Sequence, residues 1–331
     1  MNREIGGYMD ISGNAPAEME ILPGALSFNS CRNALEFLIR ERRYKRIRLP
    51  VYVCADVFQA VERAGAKALL YHMDENLMPV DVSLDDIPLV YVNYFGLAEA
   101  NVHTLARLRH PLVVDNAQAF FSRPLPKVDC LYSPRKFFGV PDGGLLCPGE
   151  PFSNESLANF NGMPRAVSFE HGTWLFKRAD CGASAAYADR QANEERIRGL
   201  PPLRMSESTR HLLAACNIEY AHKRRQANWR TLHRALAPSN LAPSVLLTAG
   251  DSGAAALCYP YLNKNAAWLR ERLAEKKIYI PHYWPGLETI IKSGSIEHLL
   301  LEKLLPLPID QRYGANDMTY MLDVLRGVIN T

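Results

Sequence analysis

Apolar residues along this chain recur in two alternating rhythms. Short, mostly apolar runs at 47–50, 68–71, 89–93 and 111–115 read as strands buried in a sheet. Between them, segments 55–64 and 102–108 carry apolar positions at helical spacing, and Gly65 closes the first of these. Upstream, residues 25–29 are predicted as a short strand. Ser30-Cys31-Arg32-Asn33 then opens a helix with Ala34, Leu35, Leu38 and Ile39 on its apolar face. Strand and helix in alternation predict a parallel sheet covered by helices. Past Gly144 the rhythm changes. Residues 148–199 are rich in Asn, Ser, Gly and charge, with a helix predicted over 185–198. Over 205–237 the spacing of Leu212, Leu213, Cys216, Ile218, Tyr220, Leu232 and Leu236 predicts long helices. Pro238, Pro243 and Gly250 mark a break. Apolar stretches at 256–262 and 278–283, with helices over 266–276 and 317–328, then predict a smaller α+β end. Residues 4–24 mix Gly, Pro, Asn and Met without a period and read as an extended arm. A large domain over 1–225 and a small one over 226–331 is the expected division.

Composition narrows this picture modestly. The 331 residues suffice for one large domain or two modest ones with a substantial core. With 48% of residues apolar and 22% charged, the chain has the make-up of a soluble globular protein. The net charge of +3 is too small to argue for nucleic acid. The densest basic run, Arg40-Glu41-Arg42-Arg43-Tyr44-Lys45-Arg46-Ile47-Arg48, reads as the solvated end of a helix, where cations suit the dipole, rather than as a nucleic-acid patch. Seven cysteines, an odd number with no C-x-x-C pair, suggest neither a disulfide framework nor a zinc site. The first residues lack the apolar core of a signal peptide, and no later run is long enough to span a bilayer. A reduced, cytoplasmic protein is therefore the expectation.

Two stretches carry candidate chemistry. Leu112-Val113-Val114-Asp115-Asn116-Ala117-Gln118 is an apolar run that ends on an acid, as a buried parallel strand does where a site opens. Ser133-Pro134-Arg135-Lys136-Phe137-Phe138-Gly139 sets a lysine in a short punctuated segment, followed by Asp142-Gly143-Gly144. A strand-end acid and a loop lysine are the two groups that pyridoxal phosphate chemistry needs. The lysine amine forms a Schiff base, and the carboxylate keeps the pyridine nitrogen protonated so that the ring acts as an electron sink. The helix opened by Ser30 directly after a strand offers a phosphate site through the backbone N–H groups of Ser30 and Cys31, with Ser133 as a third candidate contact.

Each of these features has a plainer reading. Ser30 alone is an N-cap, and Lys136 alone is a surface lysine. Asp115 alone resembles the strand-end acids that hold Mg²⁺, although no second acid stands nearby for that role. Gln118 alone would bond loop backbone. His282 and Trp284, in Pro281-His282-Tyr283-Trp284-Pro285, read as a packed loop, with reach to a substrate as the alternative. No dinucleotide fingerprint, P-loop or nucleophile elbow is present.

With these residues laid out, the chain resembles the DegT/DnrJ/EryC1/StrS aminotransferases almost from end to end. Val114-Asp115-Asn116-Ala117-Gln118-Ala119 is similar to the family's acid-x-Ala-Gln-Ala segment, in which the acid meets the pyridine nitrogen and the glutamine the ring-hydroxyl side. Lys136-Phe137-Phe138-Gly139 with Asp142-Gly143-Gly144 resembles the segment that carries the Schiff-base lysine. Pro50 through Ala64-Gly65, Arg204-Met205-Ser206-Glu207 and Leu305-Pro306-Leu307-Pro308 resemble three further elements in the family's order. The chain departs from the pattern at three places. Leu131 stands where many members have a phosphate-binding serine, Cys54 where an aromatic stacks on the ring, and Pro202 where an asparagine reaches the neighbouring subunit. Tyr52 and Tyr94 are candidates to replace the aromatic.

The resemblance implies a fold-type-I PLP transferase, an α/β fold whose large domain has a mainly parallel seven-stranded sheet between helices, plus a smaller α+β C-terminal domain. It also implies pyridoxal 5'-phosphate as cofactor and Lys136 and Asp115 as the catalytic pair. Gln118, Ser30, Cys31, Arg32, Cys54 and Ser133 join that pair in holding the cofactor, and no metal is called for. The implied reaction moves an amino group from glutamate to a nucleotide-linked keto sugar, in a homodimer that binds neither nucleic acid nor membrane, as part of polysaccharide or natural-product sugar synthesis. Two alternatives stand beside it. One is another PLP reaction, such as the dehydration of relatives that carry histidine in place of the lysine. The other is a non-catalytic binding or regulatory protein on the same scaffold.

Overall fold

The apolar runs become the centre of a seven-stranded sheet. The computed structural model describes residues 22–80, 82, 85–108, 111–248, 250 and 253–329. The extended arm expected over 4–24 lies almost wholly outside the described residues. The chain runs β1 (Leu26–Phe28), α1 (Cys31–Glu41), β2 (Arg46–Pro50), α2 (Ala55–Arg63), β3 (Lys67–Tyr71), β4 (Leu89–Val92), α3 (Glu99–Leu108), β5 (Leu112–Asn116), β6 (Asp129–Tyr132) and β7 (Gly144–Cys147). The sheet order is β1-β7-β6-β5-β4-β2-β3. The pairs β2–β3, β2–β4, β4–β5 and β5–β6 are parallel, and β7 runs antiparallel to both β6 and β1. Every residue of β4, β5, β6 and β7 is buried, which explains why β4 and β5 read as continuous apolar runs rather than alternating ones.

This topology decides where a site can form. Val92 pairs with Asp115, Asp115 with Leu131 and Asn116 with Tyr132, so β4, β5 and β6 end side by side at one edge. The reversed β7 starts at that edge, where Gly144 pairs with Phe28 at the end of β1. The starts of α1 and α2, which directly follow β1 and β2, lie at the same edge. A crevice at the carboxyl ends of the strands is the usual place for a ligand in a sheet of this kind.

Beyond β7 come α4 (Asn154–Gly162), α5 (Phe169–Cys181), α6 (Tyr187–Gly199), α7 (Glu207–Ala214), α8 (Ile218–Leu236) and the short α9 (Ser244–Thr248). Last come β8 (Cys258–Leu262), α10 (Ala266–Glu275), α11 (Ile296–Lys303), β9 (Leu304–Pro308) and α12 (Ala315–Ile329). The sequence pattern shows α6 but not α4 or α5, because neither carries an apolar stripe: α4 buries only Ser156, and α5 only His171 and Gly172. The long helical segment over 205–237 is broken at Asn217, which caps α8 by accepting from the Tyr220 N–H at 2.8 Å. The strand that pairs with β8 is β9, antiparallel over five residues, whereas the apolar stretch at 278–283 forms no regular element. Helix α8 runs unbroken through residues 225 and 226, so the two expected domains share it. Within the basic run, Arg40 bonds Glu36 and the Arg63 carbonyl, Arg42 bonds Asp129, and Arg48 bonds Asp85.

Candidate active site

Asp115 lies one residue before the end of β5 and is 8% exposed. Its Oδ1 accepts the Ala117 N–H at 2.8 Å, which turns the chain sharply out of the strand. Burial raises the carboxyl above its ordinary value, while the Lys136 charge and the Ala117 N–H hold it down. This is a buried acid suited to a cationic or N–H partner.

Lys136 ends the 3₁₀ turn Pro134–Lys136 that follows β6, and its side chain is exposed at the sheet edge. The turn is closed by Lys136 N–H to Ser133 O (3.2 Å) and Phe137 N–H to Pro134 O (2.9 Å). Because β5 and β6 are adjacent and parallel, the acid and the lysine emerge at neighbouring strand ends, near enough for Asp115 to feel the lysine's charge.

The start of α1 lies beside them. The Ser30 hydroxyl caps the helix by accepting the Asn33 N–H at 3.3 Å, the Ala34 N–H goes to Ser30 O, and the parallel bridge between Ser30 and Gly143 engages the Cys31 amide, leaving the first-turn amide of Arg32 for another acceptor. Capping and anion binding are therefore compatible here, since the side chain serves the first and the backbone the second. Gly144 is what lets β7 lie against this turn. A Cβ there would fall 2.2 Å from Ser30 C and 2.3 Å from Cys31 N. Burial and then the Asp115 charge push the Cys31 thiol well above its ordinary value, with Lys136 opposing. Burial and then Asp56 raise the Cys54 thiol. Both thiols stay protonated at neutral pH, so neither is a nucleophile. Each is close enough to the others' charges for Cys31, Cys54, Asp115 and Lys136 to share the strand-end edge where a ligand opening is expected.

The remaining sequence candidates divide. Gln118 is buried and its Oε1 accepts the Phe95 N–H at 2.9 Å, so it ties the turn after β5 to the loop after β4. The Arg32 guanidinium turns away to Asp56 at 2.7 Å, leaving its backbone amide as its part of the α1 start. Ser133 is buried at the head of the lysine turn, and its carbonyl accepts the Lys136 N–H. Tyr52 and Tyr94 are fully buried, ring against ring at 6.0 Å, with the Tyr94 hydroxyl on Tyr52 O. Neither presents a face to the opening, where half-buried Cys54 stands instead. His282 bonds the Leu301 carbonyl at 3.0 Å, and Trp284 packs edge-on against Tyr52, as in a packed loop.

Sequence reasoning gave Asp142 no role beyond its motif and missed several other groups that shape the site. Asp142 is fully buried between His171 Nε2 (3.2 Å) and the Ser206 N–H (3.2 Å), which fastens the loop after Lys136 to the start of α7. Glu194 on α6 pairs with Arg135, the residue before the lysine. Arg225 and Gln311 reach the residue after it. Arg225 left a signal. With Ala221, Trp229, Leu232 and Leu236 it falls on the buried face of α8, where a cation is out of place.

No protein-family model matches the sequence, and no curated protein does. Solved structures do match. DesV of S. venezuelae, solved in complex with a ketimine intermediate, is 17% identical over 92% of this chain and 84% of its own, with a TM-score of 0.59. A DegT DnrJ EryC1 StrS aminotransferase from Brucella abortus is 14% identical over 93% and 86%, with a TM-score of 0.62. The sugar aminotransferase CalS13 from Micromonospora echinospora is 13% identical over 92% and 87%, with a TM-score of 0.57. At these identities the likeness is one of fold, and it extends over nearly the whole chain.

Proposed function

We propose that this protein, which has the fold of the DegT/DnrJ/EryC1/StrS-type sugar aminotransferases, is a divergent working member of that family. In this reading it is a pyridoxal 5'-phosphate-dependent transaminase that moves an amino group from glutamate to a nucleotide-linked keto sugar. The observation that carries the reading is the pairing of exposed Lys136 with buried Asp115 at adjacent strand ends, beside the start of α1.

The residues present fit the cofactor. Lys136 Nζ would hold its aldehyde carbon, Asp115 its ring-nitrogen proton, and the Arg32 amide at the start of α1 its phosphate, with Gln118 fixing the turn after Asp115. When bound, the group supplies an electron sink for a carbanion next to nitrogen. Lys136 Nζ then acts as the base that takes a proton from the substrate carbon and returns it, and its exposure leaves room for a bulky acceptor. Asp115, held by burial and the Ala117 N–H, stays fixed while that proton moves. The rival reading of a non-catalytic binding module gains from Cys54, which gives the ring no stacking face. The dehydratase reading loses to Lys136 itself.

We further place the chain in the cytoplasm as a homodimer. No helix among the described residues is long and apolar enough to cross a membrane. Phe169, Phe176 and Tyr187 lie exposed on α5 and α6, next to the Glu194–Arg135 pair, and burial of this hairpin by a second copy would cover them. The test is amination of keto-sugar nucleotides with glutamate and added PLP, by the wild type and by Lys136→Ala. Turnover by the wild type that Lys136→Ala abolishes supports the reading. Turnover that survives the substitution, or none with any acceptor, rejects it.

A further inference from the structure

Arg225 is 1% exposed, and among the described residues no carboxylate lies within ion-pair distance of it. Asp310, whose charge it feels, is taken up by Arg312 at 2.7 and 2.9 Å. A cation held this way needs another reason to be there. Its N–H groups run in two directions. Nε donates to Gln311 Oε1 at 3.1 Å, and Gln311 Nε2 donates to the Phe137 carbonyl at 2.6 Å, while the guanidinium lies over the Phe137 ring at 4.7 Å. Phe137 directly follows Lys136. In the other direction, Nη1 donates to the carbonyls of Ala256 and Leu257 at 3.1 and 3.0 Å. The Leu257 N–H bonds Phe95 O at 2.8 Å, and the Phe95 N–H bonds Gln118 Oε1 at 2.9 Å. Gln118 lies in the turn that Asp115 begins. Phe95 itself is held at φ 58°, a left-handed conformation uncommon for a bulky residue and maintained by these bonds on both sides.

We propose that Arg225, acting with Gln311, is a positioning residue that fixes the lysine turn against the turn after Asp115, and so sets the separation of the two groups that chemistry requires. The planar fork of arginine suits the task, because one side chain can donate to two carbonyls and an amide oxygen while stacking on a ring. The network also ties the elements after residue 225 to both arms of the site, so that packing of the C-terminal part and geometry at Lys136 are linked. The assignment rests on the reading of Lys136 and Asp115 as the catalytic pair. The bond network itself can be tested without that reading.

The experiment uses three variants: Gln311→Met, which keeps length and loses both amide bonds; Arg225→Met; and Leu269→Ala, a core deletion on α10 as a matched destabilised control. Amide hydrogen exchange is first measured on the cofactor-free protein. Gln311→Met is expected to speed exchange over 136–138 by about tenfold while leaving 95 and 257 unchanged, and Arg225→Met to speed both groups. The control should speed neither selectively. If Arg225→Met fails to fold, the Gln311→Met pattern decides. Next, PLP is added and the visible band is titrated with pH. The midpoint is expected to move by about half a unit, a threefold change in proton affinity, in Gln311→Met and not in Leu269→Ala. Unaltered exchange at 136–138, or the same midpoint shift in the control, overturns the proposal. A wild type that takes up no PLP would sink the transaminase reading, and the exchange pattern would still decide the network.

Discussion

Gly144→Ala tests the link between sheet register and the anion-binding turn. The added Cβ would stand 2.2 Å from Ser30 C, 2.3 Å from Cys31 N and 2.4 Å from Ser30 O, all of them backbone atoms that cannot swing aside. Ordinary carbon contacts lie near 3.5 Å, so β7 and the α1 start must separate by about 1 Å. Little slack exists for that. Gly144 is paired with Phe28, and the next residue, Leu145, pairs with Tyr132 on the other side, so the strand is pinned on both flanks. Overpacking a side chain costs about 1–3 kcal/mol, and a clash with backbone belongs at or above the upper end. A loss of about 3 kcal/mol is a large share of the roughly 5–15 kcal/mol that holds a domain together. The same displacement pulls the start of α1, with its Arg32 amide, out of register with a bound phosphate, so PLP affinity should fall by about tenfold or more. Urea unfolding followed by circular dichroism, with a PLP titration of the folded protein, reads both effects. Gly162→Ala is the control, because nothing lies within 4 Å of its added Cβ. In a helix that change should be neutral or stabilising by up to about 1 kcal/mol. A Gly144→Ala protein with wild-type midpoint and wild-type PLP affinity would refute the reasoning.

Other outcomes follow from charge and burial. Asp115→Asn should abolish transamination and yet stabilise the fold. The folded carboxyl is raised by burial, so the native state holds its proton longer than the unfolded chain, and native stability falls as pH rises from the unfolded value through the folded one. Urea midpoints of variant and wild type should therefore nearly coincide at low pH and separate, in the variant's favour, towards neutrality. A constant gap across pH would show that Asp115 is not desolvated. Asp142→Ala strands both the Ser206 N–H and the His171 ring in a fully buried place, and should cost about 3 kcal/mol with an unchanged urea slope. A loss below about 1 kcal/mol would mean that the two contacts contribute little.

What the sequence disclosed has a physical pattern. Strands β2, β4 and β5 and helices α1 and α2 were legible because their burial is local and periodic, and Ser30 and Gly65 punctuate them. Strands β6 and β7 did not stand out because they lie among the Pro- and Gly-punctuated segments on either side of Lys136, and the reversal of β7 depends on pairings distant in sequence. Lys136 and Asp115 were singled out as candidates because they occur in recognisable local segments. Their companions were not. Arg225 hides in Lys223-Arg224-Arg225, Gln311 in a polar turn, and both matter through contacts with residues 31 to 174 positions away. Tyr52 and Tyr94 misled for the opposite reason: aromatic rings near the motif packed on one another instead of facing the opening.

The central claim is that Lys136 is the residue to which the cofactor is joined. The direct measurement is the absorbance spectrum of the purified protein with PLP, before and after borohydride, followed by peptide mapping of the fixed adduct. The account predicts a visible band that borohydride removes, with the cofactor recovered on Lys136 alone. No band, or an adduct spread over several exposed lysines, would contradict it.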